Sequence, residues 1–449
     1  MNGISVMLFK LKQILSDKDL INTAINQLYR LISGPLMLLF IPLYLTQIEQ
    51  GYWYTFTSVA ALAVFADLGF SNIILQFAAH EFAFLKFNSD ETISGDEIHL
   101  RKLADFFRFS VRWLCKVTLI VFPIIVIAGY FFINQKTAEN INWILPWFIY
   151  SISSALVFVN SSLLSFFEGC NSVAKVQGIR FRITVFTSVT VLTGLFFKIK
   201  LFALALSLLI SAIVGIFLIY INYKASILQL WKLSTVMYYS WKQEFFSLIW
   251  RYALSWSSGY FIFQLFVPLS FQYYGTIEAG RIGFGISAWS AISSISNIWV
   301  VSKIPSMNIL ISKCEWNDVL ILLKNILIKS ISTYLTIGCL FLFCYYEFKE
   351  QFFLFDRLPI KFIMFTLFAC NFFQLIISLL ATYLRAHKKE PMVWASIFQA
   401  IFVAMSTYYI VNHYSINYLF FGYMISNILV LIFTLYITYL QNQYDRRSF

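Results

Sequence analysis

Charge is what this chain of 449 residues has least of. Only 12% of it is Asp, Glu, Lys or Arg, where a soluble domain carries roughly 25%. A hydrophobic content of 60% and a mean hydropathy of +0.75 exceed what a soluble core absorbs, so a lipid bilayer is the solvent for most of the sequence. The length therefore divides into apolar helices of about 20 residues and not into globular domains. Cysteine is sparse as well. Cys115, Cys170, Cys314, Cys339, Cys344 and Cys370 match neither zinc nor haem spacing and read as buried or cytosolic thiols. The four histidines (His80, His99, His387, His413) form no HExxH pattern. No GxxxxGK[ST] segment occurs, which excludes a nucleotide-driven pump on this chain. Gly280-Arg-Ile-Gly-Phe-Gly follows no strand and is not a dinucleotide fingerprint. No paired carboxylates stand in a long external loop, where a lipid-linked glycosyltransferase or polymerase would keep its chemistry. Neither an enzyme nor a cofactor nor a metal is expected.

What is present is a series of apolar runs. Twelve spans are expected, near 21–45, 51–79, 113–133, 143–167, 179–198, 201–222, 245–271, 280–302, 325–346, 358–384, 391–411 and 417–440. The net charge of +12 is dispersed through the loops between them, which argues against nucleic acid. Of the 33 Lys and Arg, 24 fall on one set of loops and 7 on the other. The positive-inside rule makes the first set cytoplasmic and puts both termini in the cytosol. No cleavable signal peptide is expected. Between Lys86 and Arg112, Ile98, Leu103 and Phe106/Phe107 recur at helical spacing and predict an interfacial helix. The polar stretch 223–244 divides the chain into two six-helix bundles, 1–222 and 245–449.

Two arginines, Arg30 and Arg251, sit inside apolar spans, roughly half the chain apart. A guanidinium keeps its charge, and placing one in the membrane costs about 3 kcal/mol on insertion scales. Such residues face a partner, a wet cavity or an anion. Asn26 precedes Arg30, while Ser255 and Ser258 follow Arg251, on one helical face in each case. Asp67 lies about 22–24 Å below the same membrane face as Arg30, at 1.5 Å per residue, so the two charges are level. They form either a structural ion pair or part of an ion-coupling site. Arg251 either snorkels to the surface or faces the cavity, and two converging arginines would suit a pyrophosphate. In the eighth span Ser287, Ser290, Ser294 and Asn297 share a face, lining a polar path or permitting close packing, of which packing is the expected use. Pro35, Pro42 and Pro268 mark kinks.

The run from Leu31 to Glu81 resembles the start of Wzx-type polysaccharide flippases, of the MOP superfamily to which MATE exporters and MurJ also belong. Gly34-Pro35, the Gly51-Tyr-Trp turn, Asp67-Leu-Gly-Phe and Gln76…His80-Glu81 carry the resemblance. It implies an all-α, V-shaped membrane fold of twelve helices. The implied cargo is an undecaprenyl-pyrophosphate-linked oligosaccharide of O-antigen type, flipped across the bacterial inner membrane. A cationic cavity, H+ or Na+ coupling and association with polymerase machinery are further implications. Arg30 and Asp67 fall inside the resembling block, and Arg251 outside it. The rivals are a MATE-like drug or cation antiporter, which would want acidic cavity residues, and a lipid-linked oligosaccharide polymerase or ligase.

Overall fold

The computed structural model describes residues 18–136, 141–233, 253, 254, 256–387 and 391–447, with the side chains of 18–25, 28, 30, 446 and 447 outside the description. Nearly all of it is helical. The helices are α1 (Lys18–Tyr44), α2 (Gln47–Ala60), α3 (Val64–Asp67), α4 (Phe70–Phe82), α5 (Glu97–Asn134), α6 (Ile144–Gly169), α7 (Val173–Phe196) and α8 (Leu201–Lys232). After residue 252 come α9 (Phe266–Tyr274), α10 (Thr276–Ser296), α11 (Ile298–Val301), α12 (Ile304–Ser312), α13 (Trp316–Phe348), α14 (Lys361–Ala386), α15 (Val393–His413) and α16 (Phe421–Arg447). Among the described residues nine helices are long and apolar enough to cross a membrane, and ten if the bent pair Gln47–Asp67 and Phe70–Phe82 is one span. The chain is a multi-pass membrane protein. The first expected span is present as α1, of which Leu31–Tyr44 is apolar, and much of the seventh lies outside the described residues.

Contacts divide the chain into two compact units. Unit 1 holds Met1–Ser33, Ala60–Asn134 and Asn140–Trp256; unit 2 holds Gly34–Val59, Gln135–Glu139 and Ser257–Phe449. In unit 1, α8 packs along α6 and α7, and α4 along α6. Its core is aromatic: Phe106, Phe107, Phe166 and Phe167 are buried, and Phe167 stacks on Tyr223 at 3.8 Å. Burying such rings contributes about 1.5–3 kcal/mol each in water, but between lipid-facing helices the gain comes from close packing and hydrogen bonds. At Gly215 of α8 a Cβ would lie 2.5 Å from the Asn160 amide, so glycine is what lets α8 reach α6 there.

The expected interfacial helix between Lys86 and Arg112 is not what forms. A two-stranded antiparallel hairpin, β1 (Leu85–Phe87) with β2 (Ile93–Gly95), comes first. Gln229 of α8 fixes it by pairing with both Ile93 N and Ile93 O at 2.7 Å. Residues from Glu97 belong to α5 itself, and Leu103, Phe106 and Phe107 lie in the core while Ile98 stays exposed. The apolar period was real, but it faces protein and not the lipid interface.

In unit 2, α16 packs on α14 and α15, and α10 on α9, α13 and α14. Trp289, Tyr334 and Phe368 form its aromatic centre, with ring separations of 5.3–6.2 Å. Gln399 donates to Asn427 at 2.7 Å and Asn427 to the Cys370 carbonyl at 3.2 Å, which satisfies two buried amides. The α2 start docks on α10: a Cβ on Gly51 would fall 2.0 Å from Thr276 O, and Gln50 Nε2 donates to Gly280 O at 2.9 Å. The expected packing role of the Ser287, Ser290, Ser294 and Asn297 face is not seen, since Ser290 and Ser294 are exposed and the other two half-buried. Ser294 returns its hydroxyl to the Ser290 carbonyl.

Candidate functional site

A polar network runs through unit 1, and its local cause is the turn Cys170-Asn171-Ser172. Asn171 takes the left-handed conformation at φ 57°, a common way to end a helix, in which Asn costs less than other non-glycine residues. The chain folds back, so Glu168 in the last turn of α6 meets Arg180, two turns into α7. Their Oε2 and Nη2 atoms are 2.8 Å apart, and the side chains retain 16% and 26% exposure. The other carboxylate oxygen of Glu168 accepts from Gln177 Nε2 at 3.0 Å. Gln177 Oε1 in turn accepts from Asn26 of α1 at 3.1 Å. A relay of four side chains thus connects α1, α6 and α7.

Arg180 also lines a hollow of about 140 Å³ together with Val157, Asn160, Ser161, Leu164, Ile183, Thr184 and Ser211. That volume is roughly ten times what one water needs, and four of the lining residues are neutral and polar. Asn160 is anchored by its amide on Ala212 O at 2.8 Å, and Thr184 bonds the Arg180 carbonyl at 2.8 Å. On α7 the spacing Gln177, Arg180, Thr184 places all three on one face. On α6 the spacing Val157, Ser161, Leu164, Glu168 does the same.

Asp67 lies beside this region at a break in the helix. Leu68 and Gly69 take positive φ of 45° and 78°, and the two helical segments bend by 41°. Asp67 Oδ1 accepts from Ser71 N at 3.1 Å and Ser71 Oγ at 2.5 Å, which caps α4. The Ser71 hydroxyl is 3.1 Å from that of Ser162 on α6.

The expected site residues separate as follows. Asn26 is buried within the unit 1 network. Asp67 holds Ser71. Arg30 lies within α1, with its side chain outside the description, so its pairing with Asp67 is outside it as well. Arg251 and Ser255 lie outside the described residues. Ser258 is buried in unit 2. Glu168, Arg180 and Gln177 were missed. Arg180 stands second in the expected span 179–198, where it reads as an end-of-helix cation, and Glu168 falls one residue beyond the expected span 143–167. The 3- and 4-residue spacing of Gln177, Arg180 and Thr184 was the available signal.

Unit 2 has charged groups too. Arg281 pairs with Glu278 at 2.6 Å. Burial, and then the nearby Arg281, hold the Arg357 guanidinium below its ordinary pKa, and the Arg357 carbonyl accepts from Gln50 Nε2 at 3.4 Å. Among the described residues no three His, Cys, Asp or Glu gather as metal ligands do.

No family profile matches the chain, and no curated protein matches it in sequence. Solved structures do resemble it. A multidrug resistance MATE family transporter of the MOP superfamily, in an inward-facing conformation, superposes with a TM-score of 0.56 over 92% of this chain and 99% of its own, at 12% identity. An outward-facing MATE transporter of the same superfamily gives 0.52 at 11% identity, over 96% of this chain and 97% of its own. A MOP superfamily transporter from Pyrococcus furiosus, described as having a binding pocket of reversed polarity that suggests a different function, gives 0.52 at 11% over 96% and 94%. The chain therefore has the all-helical membrane fold of the MATE transporters.

Proposed function

We propose that this protein is a flippase that carries undecaprenyl-pyrophosphate-linked oligosaccharide repeat units, of O-antigen type, across the bacterial inner membrane by alternating access. One observation carries the reading: a guanidinium, Arg180, lines a hollow of mixed polar and apolar walls in a membrane-spanning helical unit. An alternating-access carrier needs no bond-breaking residues, because its cargo leaves unaltered. The MATE-type fold supports a transporter, and the Leu31–Glu81 resemblance supports the cargo. In this reading Arg30 and Arg251 add to the cationic surface for the pyrophosphate, with Asn26, Ser255 and Ser258 as polar neighbours. Asp67 takes part in coupling to H+ or Na+. The six-helix halves 1–222 and 245–449 move about the stretch 223–244, of which 223–232 continue α8, and both termini are cytoplasmic. A polymerase complex is the consumer of the product.

Deletion tests the proposal. Surface polysaccharide should be lost while the lipid-linked unit accumulates in the cytoplasmic leaflet. An unchanged polysaccharide, or longer chains made by the purified protein alone, would overturn it. A MATE-like cation or drug antiporter is the second reading. The multidrug neighbours and the carboxylate Asp67 at the helix break favour it. Raised drug tolerance on overexpression, with normal polysaccharide on deletion, would decide for it.

A further inference from the structure

Resting on the reading of unit 1 as cargo-binding, we infer that the hollow beside Arg180 receives a single anionic group, phosphoryl or carboxylate, and that Glu168 is the built-in substitute holding Arg180 while the hollow is empty. Among the residues lining the hollow Arg180 is the charged one, and Glu168 is not among them. An entering cation would meet the guanidinium first and be repelled; an entering anion would meet a charged donor surrounded by Asn160, Ser161, Thr184 and Ser211. A guanidinium presents five N–H donors in a planar fork and binds phosphoryl or carboxylate oxygens in pairs. Glu168 occupies one edge of that fork at 2.8 Å.

Holding an arginine without a counter-charge in a membrane unit is costly, so an empty anion site needs a carboxylate of its own. That carboxylate must also be able to leave. Glu168 keeps a second partner in Gln177 Nε2 at 3.0 Å, so displacement by the ligand does not strand it. The exchange also reaches α1, because Gln177 is bonded to Asn26 at 3.1 Å.

The full chain in nanodiscs of neutral lipid, titrated calorimetrically with inorganic pyrophosphate, tests this. Glu168→Gln should bind about tenfold more tightly than the native protein, because the resident competitor is gone while the Gln177 contact can persist. Adding Arg180→Gln to that variant should abolish the gain. Ser161→Ala removes a neutral hydroxyl from the wall of the hollow and should weaken binding about threefold with an unaltered melting temperature, which keeps the test valid if Glu168→Gln folds poorly. Repeating the titration with a long-chain prenyl phosphate in the disc separates sources: competition with pyrophosphate means a lipid headgroup reaches the hollow, and its absence means a free anion does. Equal pyrophosphate binding by native, Glu168→Gln and Arg180→Gln proteins would overturn the inference. So would binding of tetraphenylphosphonium by the native protein that is tighter than its binding of pyrophosphate. These readouts are independent of oligosaccharide flipping. Loss of flipping evidence with the anion results intact removes only the cargo assignment, and normal flipping with no Arg180 dependence of binding removes only this inference.

Discussion

Glu168 in unit 1 and Asp445 in unit 2 are both carboxylates in the last turn of a long helix, and each meets a nitrogen base from another helix or its end. Around Asp445 the structure is closed. Its Oδ2 lies 3.1 Å from His387 Nε2 with both side chains only 6% exposed. Gln441 donates to its other oxygen at 2.7 Å, and Tyr383 approaches at 3.4 Å while bonding Asn442 at 2.6 Å. Trp316 stacks over the His387 ring. Around Glu168 the structure is open, with its partner Arg180 lining a hollow. A closed pair fixes one arrangement; an open pair can exchange partners. Burial, and not the mere presence of a charged pair, separates a clamp from a candidate binding site.

Stability measurements in detergent test this contrast. The largest effect is expected at the packing that closes unit 2. Gly51→Val places a side chain where Thr276 O stands 2.0 Å from a Cβ and should cost about 3 kcal/mol, seen as a large fall in melting temperature. Gly34→Ala, with nothing within 4 Å of its Cβ, should be neutral or stabilise by up to about 1 kcal/mol. Next comes Asp445→Ala, which strands buried donors from His387 and Gln441 and should cost about 2–3 kcal/mol in chemical unfolding. Arg180→Gln should cost less, about 1–2 kcal/mol, because water reaches the vacated side of the hollow. Double-mutant cycles should give a larger coupling for His387 with Asp445 than for Arg180 with Glu168, and the reverse order would break the comparison. The smallest loss among these destabilising changes is expected for Ser71→Ala, which removes the hydroxyl at the α4 cap but leaves Asp67 on the Ser71 backbone N–H, for about 0.5–1 kcal/mol.

Much of this fold was legible in the sequence because the membrane imposes one rule: backbone polar groups must be satisfied within helices, so apolar runs become helices. Expected spans such as 143–167 and 201–222 match α6 and α8 within a few residues at the starts, and the helices then run further. Residues 86–112 show where pattern fails. A 3.6-residue apolar period is the same whether its face meets lipid or protein, and Leu103, Phe106 and Phe107 meet protein. Asp67-Leu-Gly was visible as a motif, yet its use as a helix break and cap depends on Leu68 adopting positive φ, a choice for which a β-carbon gives no local preference.

Composition and the scarcity of charge determined by themselves that this chain lives in a bilayer and folds as a set of helices, because no other solvent accommodates so much apolar sequence. Which of its few charges matter was decided only by the tertiary structure. Arg180 and Glu168 are twelve residues apart, one at the start of an expected span and the other just past the end of the span before it. The back-folded turn at Asn171 brings them to 2.8 Å, and the glycine of α8 opposite Asn160 lets the surrounding helices close to the distance at which a polar hollow remains. Proximity across helices is set by turn geometry and side-chain volume at several sites at once, and no single stretch of sequence encodes it.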